Sequence, residues 1–368
     1  MKVLHVFKDL YPPLAAGITC YVHDVAGETV RRGHEVEVHV AGVRKPVREV
    51  LPNGVVVHRH REVGRLLSMP MAPGLVTGPR GTDADVVHVH MPNPIGEVGP
   101  LLNGHRVPVV ASFHARLGRQ RFLEPAYRPL RRALLGRATT VLVSSEAMAR
   151  SPELAGVRDK VVVLPYGVSP RMLTDGAQPV ADGDTLRLLY VGRLVYYKGL
   201  EVLIRALAAA PSPRPWQLTV VGDGPLRVDL EHLAAGLGLN GDVRFRGSVG
   251  DDELRRAYAS HDVFVLPSVS RAEAFGLAMA EAMANGMPVV STELDTGTSW
   301  VNADGVSGLV VAPGDVAALG QALERLRPAA ARAPLAAGAR HRARELFCFQ
   351  EHCDRLMGIY ERAAASRP

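Results

Sequence analysis

Two carboxylates that stand eight residues apart could together bind one elongated polar ligand. Glu273 lies in a loop after the apolar run VFVLPS, and Glu281 lies in the helix predicted next. This helix begins near Phe275–Gly276 and ends at Asn285–Gly286, so Glu281 lies about five residues, or roughly 7.5 Å, inside it. The amides of residues 275–277 point to the same place, and helix N-termini attract anions. A sugar at Glu273, a phosphate at the helix start and a ribose at Glu281 would fit one elongated molecule. A solvated glutamate and an ordinary helix are the alternative.

Two cations follow another apolar run. Arg193 comes directly after LRLLYVG, and Lys198 precedes a predicted helix start. Guanidinium and ammonium groups at a strand end form charge-assisted hydrogen bonds with phosphate oxygens. The pair predicts a diphosphate site that needs no metal ion, and a charged pair on a loop surface is the alternative.

These side chains need a scaffold that brings strand ends together. Short Val-rich runs alternate with helical patterns along the chain, and such apolar strands between helices are typical of parallel sheets. The predicted fold class is α/β with doubly wound sheets, in which ligands bind beyond the carboxyl ends of the strands. The predicted strands are 2–7, 35–40, 55–60, 86–90, 107–114, 139–145, 160–167, 186–193, 217–224, 243–247, 263–268, 288–292 and 308–313.

The pattern divides the chain into two similar α/β domains. It stops near Ser169 and restarts near Leu186, with PRMLTDGAQPVADGDT between them, which is typical of a linker. We expect domains at 1–170 and 187–346, a linker at 171–186 and a C-terminal helix at 347–368 that packs on the first domain. Asp182 and Asp184 form an Asp-x-Asp pattern, but they fall in the linker and are expected to be solvated.

Composition excludes several classes of protein. The 368 residues are 47% hydrophobic with a net charge of +6, which excludes a mainly disordered chain. No apolar run approaches the ~20 residues of a membrane span. Three cysteines fit no zinc or disulfide framework and indicate a reducing compartment, so a cytoplasmic location is expected. Only 5% of residues are aromatic and no nucleic-acid motif occurs, so no nucleic-acid partner is expected.

The order of several segments resembles the family 4 glycosyltransferases of the GT-B fold. In the second half these are VGRLVYYKG, VVGDGP, VFVLPSVSRAEAFGLAMAEAMANGMPVV and GVSGLVVAPGD. In the first half they are LYPPLAAGITCYVHDVAGETVRRGHEVEV, DVVHVHMPNP, VVASFHA and VLPYGV. The resemblance covers almost the whole chain. It implies two Rossmann-like domains facing across a cleft, with the acceptor in the first domain and the nucleotide sugar in the second.

The resemblance also implies a role for each matching residue. Glu273 would bind hydroxyls of the donor sugar, and Glu281 would bind the ribose. Arg193 and Lys198 would bind the diphosphate. The remaining donor contacts would come from backbone at Gly17, Gly192, Phe275, Gly276 and Leu277. Where the family often has two glycines this chain has Ala16–Gly17, so only one close backbone approach is clearly permitted there.

Histidines of the first half are further candidates. His114 in VVASFHA matches a family histidine beside the reacting sugar, so we expect it to bind the acceptor and to act in catalysis. The other expected catalytic residues are the donor-site residues Arg193, Lys198 and Glu273. A structural role for His114 is the alternative. His88 and His90 alternate along one strand and lack further ligands at zinc spacing, so one or both are expected in the core or the cleft wall. Asp9 follows the first strand, and its position suggests an acceptor contact.

The chain departs from the family pattern at a few positions. Trp300 stands where many relatives have a glutamate, a variant associated with bacterial surface-polysaccharide enzymes; a simple packing change is the alternative. Tyr166 replaces a common asparagine and Ser169 a common aspartate.

An arginine-rich stretch at 116–137 could meet a membrane. It holds seven arginines and one glutamate, and Phe122, Tyr127, Leu130 and Leu134 could form an apolar stripe. This stretch would then lie against anionic lipid on the inner membrane face or bind a phosphate-bearing lipid acceptor. An ordinary arginine-rich helix face explains the pattern equally well.

The resemblance implies a retaining, metal-independent hexosyltransferase without a cofactor. The donor would be a UDP or GDP sugar. The acceptor would be a surface polysaccharide or a lipid-linked glycan, and a small molecule such as an aminocyclitol antibiotic precursor is the alternative. A catalytically silent nucleotide-binding protein of the same fold is the rival from another class.

Overall fold

A computed structural model describes residues 1–12, 17–43, 45–66, 69–102, 107–116, 124–174, 185–210 and 215–366. The chain divides into two compact units. One comprises Met1–Pro165 with Gln350–Pro368, and the other comprises Tyr166–Phe349. The observed boundary at Pro165 precedes the expected one at residue 170. Most of the expected linker, including Asp182 and Asp184, lies outside the described residues.

The first unit is built on a largely parallel sheet. Its order is β10-β9-β8-β7-β1-β2-β4-β3, and every pairing is parallel except that of β3 with β4. Residues of β7 are buried at every position, which is typical of a strand covered on both faces. The strands are β1 (Lys2–Val6), β2 (Glu35–Val43), β3 (Val47–Val50), β4 (Val56–Arg61), β7 (Val86–Met91), β8 (Val109–Phe113), β9 (Thr140–Val143) and β10 (Val161–Val163), beside a small hairpin sheet of β5 (Gly64–Leu66) and β6 (Met69–Met71).

The second unit contains a six-stranded sheet that is parallel throughout. Its order is β13-β12-β11-β14-β15-β16, so the chain winds away from β11 in both directions. The carboxyl ends of β11 and β14 therefore meet at a topological switch point, which is where doubly wound sheets bind ligands. The strands are β11 (Leu186–Val191), β12 (Trp216–Val221), β13 (Val243–Gly247), β14 (Val263–Leu266), β15 (Val289–Thr292) and β16 (Gly308–Val311).

Helices connect the parallel strands in both units. Those of the first unit are α1 (Gly17–Arg31), α2 (Gly74–Thr77), α3 (Pro94–Leu102), α4 (Glu124–Arg137), α5 (Glu146–Ala149) and a 3-10 segment at Pro152–Lys160. Those of the second are 3-10 turns at Pro170–Met172 and Tyr196–Lys198, α6 (Leu200–Ala208), α7 (Arg227–Gly236), α8 (Asp251–Ser260), α9 (Leu277–Ala284), α10 (Thr298–Val301), α11 (Val316–Arg325) and α12 (Ala329–Leu346). None of the helices in the described part of the chain combines the length and apolarity needed to cross a membrane.

The final helix, α13 (Phe349–Ala365), starts at the last residue of the second unit and belongs to the first unit from Gln350 onward. Its apolar positions recur at helical spacing and are buried, as the sequence predicts. They are Phe349, Cys353, Leu356, Met357 and Tyr360.

All the predicted strands are present, which confirms the α/β fold class. The sequence did not predict β3, β5 and β6. Strand β3, VREV, is the last strand of its sheet, where exposed and charged residues are common. It therefore contains no apolar run from which a strand could be predicted. The other two are only three residues long.

Candidate functional site

A buried ion pair lies at the switch point of the second unit. Lys198 Nζ is 2.5 Å from Glu273 Oε2, and Ser268 donates a longer hydrogen bond of 3.5 Å to the same oxygen. Burial alone would lower the pKa of Lys198, but the Glu273 carboxylate outweighs it and the pKa lies above its ordinary value. The two residues that were expected to bind different parts of a donor therefore pair with each other here.

Glycine places Lys198 beside Glu273. The 3-10 turn Tyr196–Lys198 ends at Gly199, whose φ is 69°. A Cβ atom at Gly199 would lie 1.9 Å from the carbonyl oxygen of Pro267, so only glycine lets the loop after β11 press against the loop after β14. The Val269 amide donates to the Tyr197 carbonyl at 2.8 Å and joins the same two loops. Gly199 was not among the residues predicted for the site, although its place directly after Lys198 was a signal.

Arg193 lies at the start of the same loop after β11, and its side chain is exposed. Two glycines after β12 pack against this loop. A Cβ at Gly222 would lie 2.1 Å from the Gly192 carbonyl oxygen, and one at Gly224 would lie 2.4 Å from that of Leu194. Among the residues that the structure describes, no carboxylate pairs with Arg193, so its guanidinium is available to an anion.

The start of α9 offers unpaired backbone amides next to Glu273. Gly276 caps the helix in the left-handed conformation, with φ 82° and ψ 59°. The amides of Phe275, Gly276 and Leu277 donate to no acceptor in the described part of the chain. A helix start of this kind attracts phosphate through its amides and its dipole. The predicted placement of the helix is confirmed, and its anion-binding role stays a prediction.

Glu281 lies in the second turn of α9 and is half-buried. The buried hydroxyl of Tyr258, on α8, donates to Glu281 Oε2 at 2.6 Å. Burial and the adjacent carboxylate raise the pKa of Tyr258 well above its ordinary value, so the phenol keeps the proton it donates. Tyr258 thus orients the carboxylate expected to bind ribose. A tyrosine on a different helix carried no sequence signal for this role.

Trp300 belongs to an aromatic cluster behind the helix start. The Phe275 ring meets Tyr166 at 4.9 Å, Phe347 at 5.7 Å and Trp300 at 6.3 Å between centroids. Arg342 lies over the Trp300 ring at 5.6 Å and donates to its carbonyl oxygen. The departures at Tyr166 and Trp300 therefore supply packing that holds Phe275.

In the first unit, His114 ends a chain of buried imidazoles. Its Nε2 lies 2.9 Å from His90 Nδ1, and His90 Nε2 lies 2.9 Å from His5 Nδ1. His88 contacts Tyr360 and Ser112 through its two nitrogens, which confirms that His88 and His90 lie in the core. Burial lowers the pKa of His114 to about 3, so the ring is neutral at physiological pH. A neutral imidazole has one N–H donor and one acceptor nitrogen, but it carries no charge.

The other predicted residues of the first unit lie on separate elements. Asp9 follows β1, and its Oδ1 accepts a hydrogen bond from Arg65 at 3.1 Å. Gly17 is the first residue of α1 and is exposed. Ala16 lies outside the described residues.

The arginine-rich stretch forms α4 from Glu124 onward, while residues 117–123, with Phe122, lie outside the description. Tyr127 and Leu134 are buried, and Leu130 is partly so. Arg131 pairs with Glu124 at 2.5 Å. The apolar stripe is thus used for packing inside the unit. Membrane contact stays a prediction, and its remaining basis in α4 is the charge of the exposed arginines.

Both units resemble known proteins. Residues 16–167 match the model described as glycosyl transferase 4-like domain, and residues 174–330 match glycosyl transferases group 1. The O-antigen chain mannosyltransferase C of Escherichia coli is 30% identical over 337 residues, which cover 89% of this chain and 88% of that protein. The D-rhamnosyltransferase WbpZ of Pseudomonas aeruginosa is 34% identical over 340 residues, with coverages of 89% and 86%. HepE of Anabaena, solved with UDP and glucose, has a TM-score of 0.78 at 20% identity over 98% of this chain and 99% of its own.

Proposed function

The chain belongs to the family 4 glycosyltransferases of the GT-B fold, and from this premise we propose how its two units divide the reaction. The unit Tyr166–Phe349 binds a nucleoside diphosphate sugar, and the unit that begins at Met1 binds the acceptor. The acceptor is a hydroxyl of a surface polysaccharide or a lipid-linked glycan. The name of the O-antigen mannosyltransferase supports this acceptor class.

The observation that carries the donor site is the Lys198–Glu273 pair beside the free amides of α9. The diphosphate would lie between Lys198, Arg193 and the helix start, which offer it two cations and backbone N–H donors. Glu281, oriented by Tyr258, would accept hydrogen bonds from the ribose hydroxyls. When the phosphate replaces Glu273 as the partner of Lys198, the Glu273 carboxylate would accept hydrogen bonds from the sugar hydroxyls.

The transfer then depends on positioning and electrostatics rather than on a covalent intermediate. The acceptor oxygen forms a bond to the anomeric carbon while the bond from that carbon to the β-phosphate oxygen breaks. The acceptor proton passes to an oxygen of the departing diphosphate, and attack from the leaving-group face retains the anomeric configuration. Lys198, Arg193 and the α9 amides stabilise the charge that develops on the diphosphate, so this route needs no divalent metal.

Calorimetric titration of the purified protein with UDP and GDP, in the presence of EDTA, tests the donor site. One nucleotide is expected to bind, and Lys198→Ala should weaken that binding at least tenfold. Arg205→Ala is the matched control, because Arg205 is an exposed cation on α6 that pairs only with Glu201 among the described residues. Binding that is unchanged in Lys198→Ala would remove this lysine from the diphosphate site.

Turnover tests the reaction itself. The protein is incubated with the sugar nucleotides of the base that binds and with a lipid-linked glycan, and the anomeric configuration of the product is read by NMR. A product with the donor's configuration, formed in EDTA, is expected. An inverted product or a strict requirement for magnesium would contradict the proposed mechanism.

A further inference from the structure

Acidic and imidazole side chains converge on one face of the first unit's sheet, and none of them belongs to the predicted donor or acceptor residues. Glu37 and His39 alternate along β2 and so share a face, and His58 on β4 is the register partner of His39. The His39 and His58 rings stack with centroids 4.5 Å apart and an interplanar angle of 18°. His60, two residues further along β4, lies beside them.

Three ligand atoms of this cluster lie at nearly metal-binding spacing. Glu37 Oε2 is 3.6 Å from His58 Nε2 and 3.9 Å from His39 Nε2, and all three atoms lie within 4.8 Å of one another. Ligands of a tetrahedral zinc ion, each about 2.1 Å from the metal, stand about 3.4 Å apart. The two distances from Glu37 Oε2 exceed this spacing by a few tenths of an ångström, and side-chain rotations that bring the two nitrogens closer together would place all three atoms on one ion.

The surrounding groups orient these atoms. His39 Nδ1 lies 3.0 Å from His60 Nε2, and when His39 donates this hydrogen its own Nε2 carries a lone pair. Lys2 holds the other Glu37 oxygen at 3.1 Å, which leaves Oε2 toward the imidazoles. His58 Nε2 is buried without a hydrogen-bond partner in the described part of the chain.

The helix above the cluster leaves room for the rings. A Cβ at Gly74 of α2 would lie 2.4 Å from His60 Nδ1, and one at Gly78 would lie 2.6 Å from His39 Nδ1. The nearby cation Lys2 also pairs with Asp83 at 2.5 Å, so its charge is already neutralised. A second cluster of possible metal ligands comprises His5, His88 and His90. Most of its ring nitrogens already hydrogen bond to a protein partner, so it is less suited to binding an ion.

We propose that Glu37, His39 and His58 bind one zinc-type divalent cation that joins β2 to β4, with His60 as the orienting partner of His39. Two imidazoles and a carboxylate form a ligand set that zinc accepts, and water would complete the coordination. The site is independent of the proposed glycosyl transfer.

Calorimetric titration with zinc chloride tests the site in the full chain, after chelator treatment and removal of the chelator. We expect one ion per chain, a zinc-dependent rise in the unfolding temperature, and cobalt absorption bands typical of low coordination number. His58→Phe keeps the stacked ring but removes the nitrogen, and should lower zinc affinity at least tenfold. His60→Ala should lower it about tenfold, as loss of an orienting partner does. His232→Phe, at an exposed position of α7, is the matched control.

Absence of zinc binding to the wild-type chain would overturn the proposal, as would equal affinity in wild type and His58→Phe. Circular dichroism checks that the variant folds. If His58→Phe does not fold, zinc affinity is measured in Glu37→Gln instead. This variant removes the charged ligand with little change in shape and should also bind zinc more weakly.

Discussion

The Lys198–Glu273 pair allows its structural role to be separated from its role in transfer. Their side chains are 15% and 9% exposed, so removal of one partner leaves the other charge in a largely buried place. Breaking a buried pair of this kind costs about 3 kcal/mol, whereas replacing both partners with apolar groups of similar size is close to neutral. We therefore expect Lys198→Met and Glu273→Leu each to destabilise the second unit by about 3 kcal/mol. The double variant should be more stable than the sum of the two effects predicts, by at least ~2 kcal/mol.

Tryptophan fluorescence measures this cycle in the right part of the molecule. The chain has two tryptophans, Trp216 and Trp300, and both lie in the unit Tyr166–Phe349. Urea unfolding followed by their emission therefore reports on the unit that contains the pair. Turnover is measured on the same proteins. It should fall at least ~100-fold in Lys198→Met and stay low in the double variant, because groups that stabilise a developing charge contribute on this scale.

Two results would refute the reasoning. Additive destabilisation in the double variant would mean that the two charges do not depend on each other for stability. Recovery of turnover together with stability in the double variant would mean that the pair serves the fold alone.

Three further perturbations follow from single contacts. Gly199→Ala should destabilise the second unit more than Gly238→Ala in the same urea experiment, because both glycines have φ 69° but only the first would meet a neighbouring carbonyl; equal losses would refute the clash. Tyr258→Phe should weaken nucleotide binding about tenfold in calorimetry, as loss of a hydrogen bond to a charged group does, whereas Tyr360→Phe in the other unit should leave it unchanged. Burial raises the pKa of Glu97 to about 7 in the folded first unit. Between about pH 4.5 and 7 this carboxyl is ionised in the unfolded chain but still protonated in the folded one, so the free energy of unfolding should fall by about 3 kcal/mol as the pH rises. Glu97→Gln should abolish this slope, as read by hydrogen exchange of peptides from 86–102 across a urea series, and a persisting slope would assign it elsewhere.

Local pattern was sufficient for most of the fold. The Val-rich runs of the parallel strands are continuous and buried, so a signal of a few residues identifies each of them. The start of α9 was visible in the same way, since Gly276 precedes a run of strong helix formers. The short edge strand β3 escaped because exposed, charged residues bury too little apolar surface to leave a pattern.

The candidate site was visible only in part. Arg193, Lys198 and Glu273 could be singled out because each follows a strand, where doubly wound folds bind ligands, and Glu281 because it lies in the helix that begins after Glu273. Tyr258 could not, because its bond to Glu281 joins two helices that the sequence does not relate.

The sequence by itself determined the α/β class, the strands that repeat through both halves, and the family to which the chain belongs. These properties depend on the order of short segments, and each segment carries its own apolar period or turn residue. Only the tertiary structure decided that Lys198 pairs with Glu273, that Trp300 packs on Phe275, and that Glu37, His39 and His58 converge. Such contacts join residues that are distant along the chain, and their geometry is set by strand order and register, which no local pattern contains.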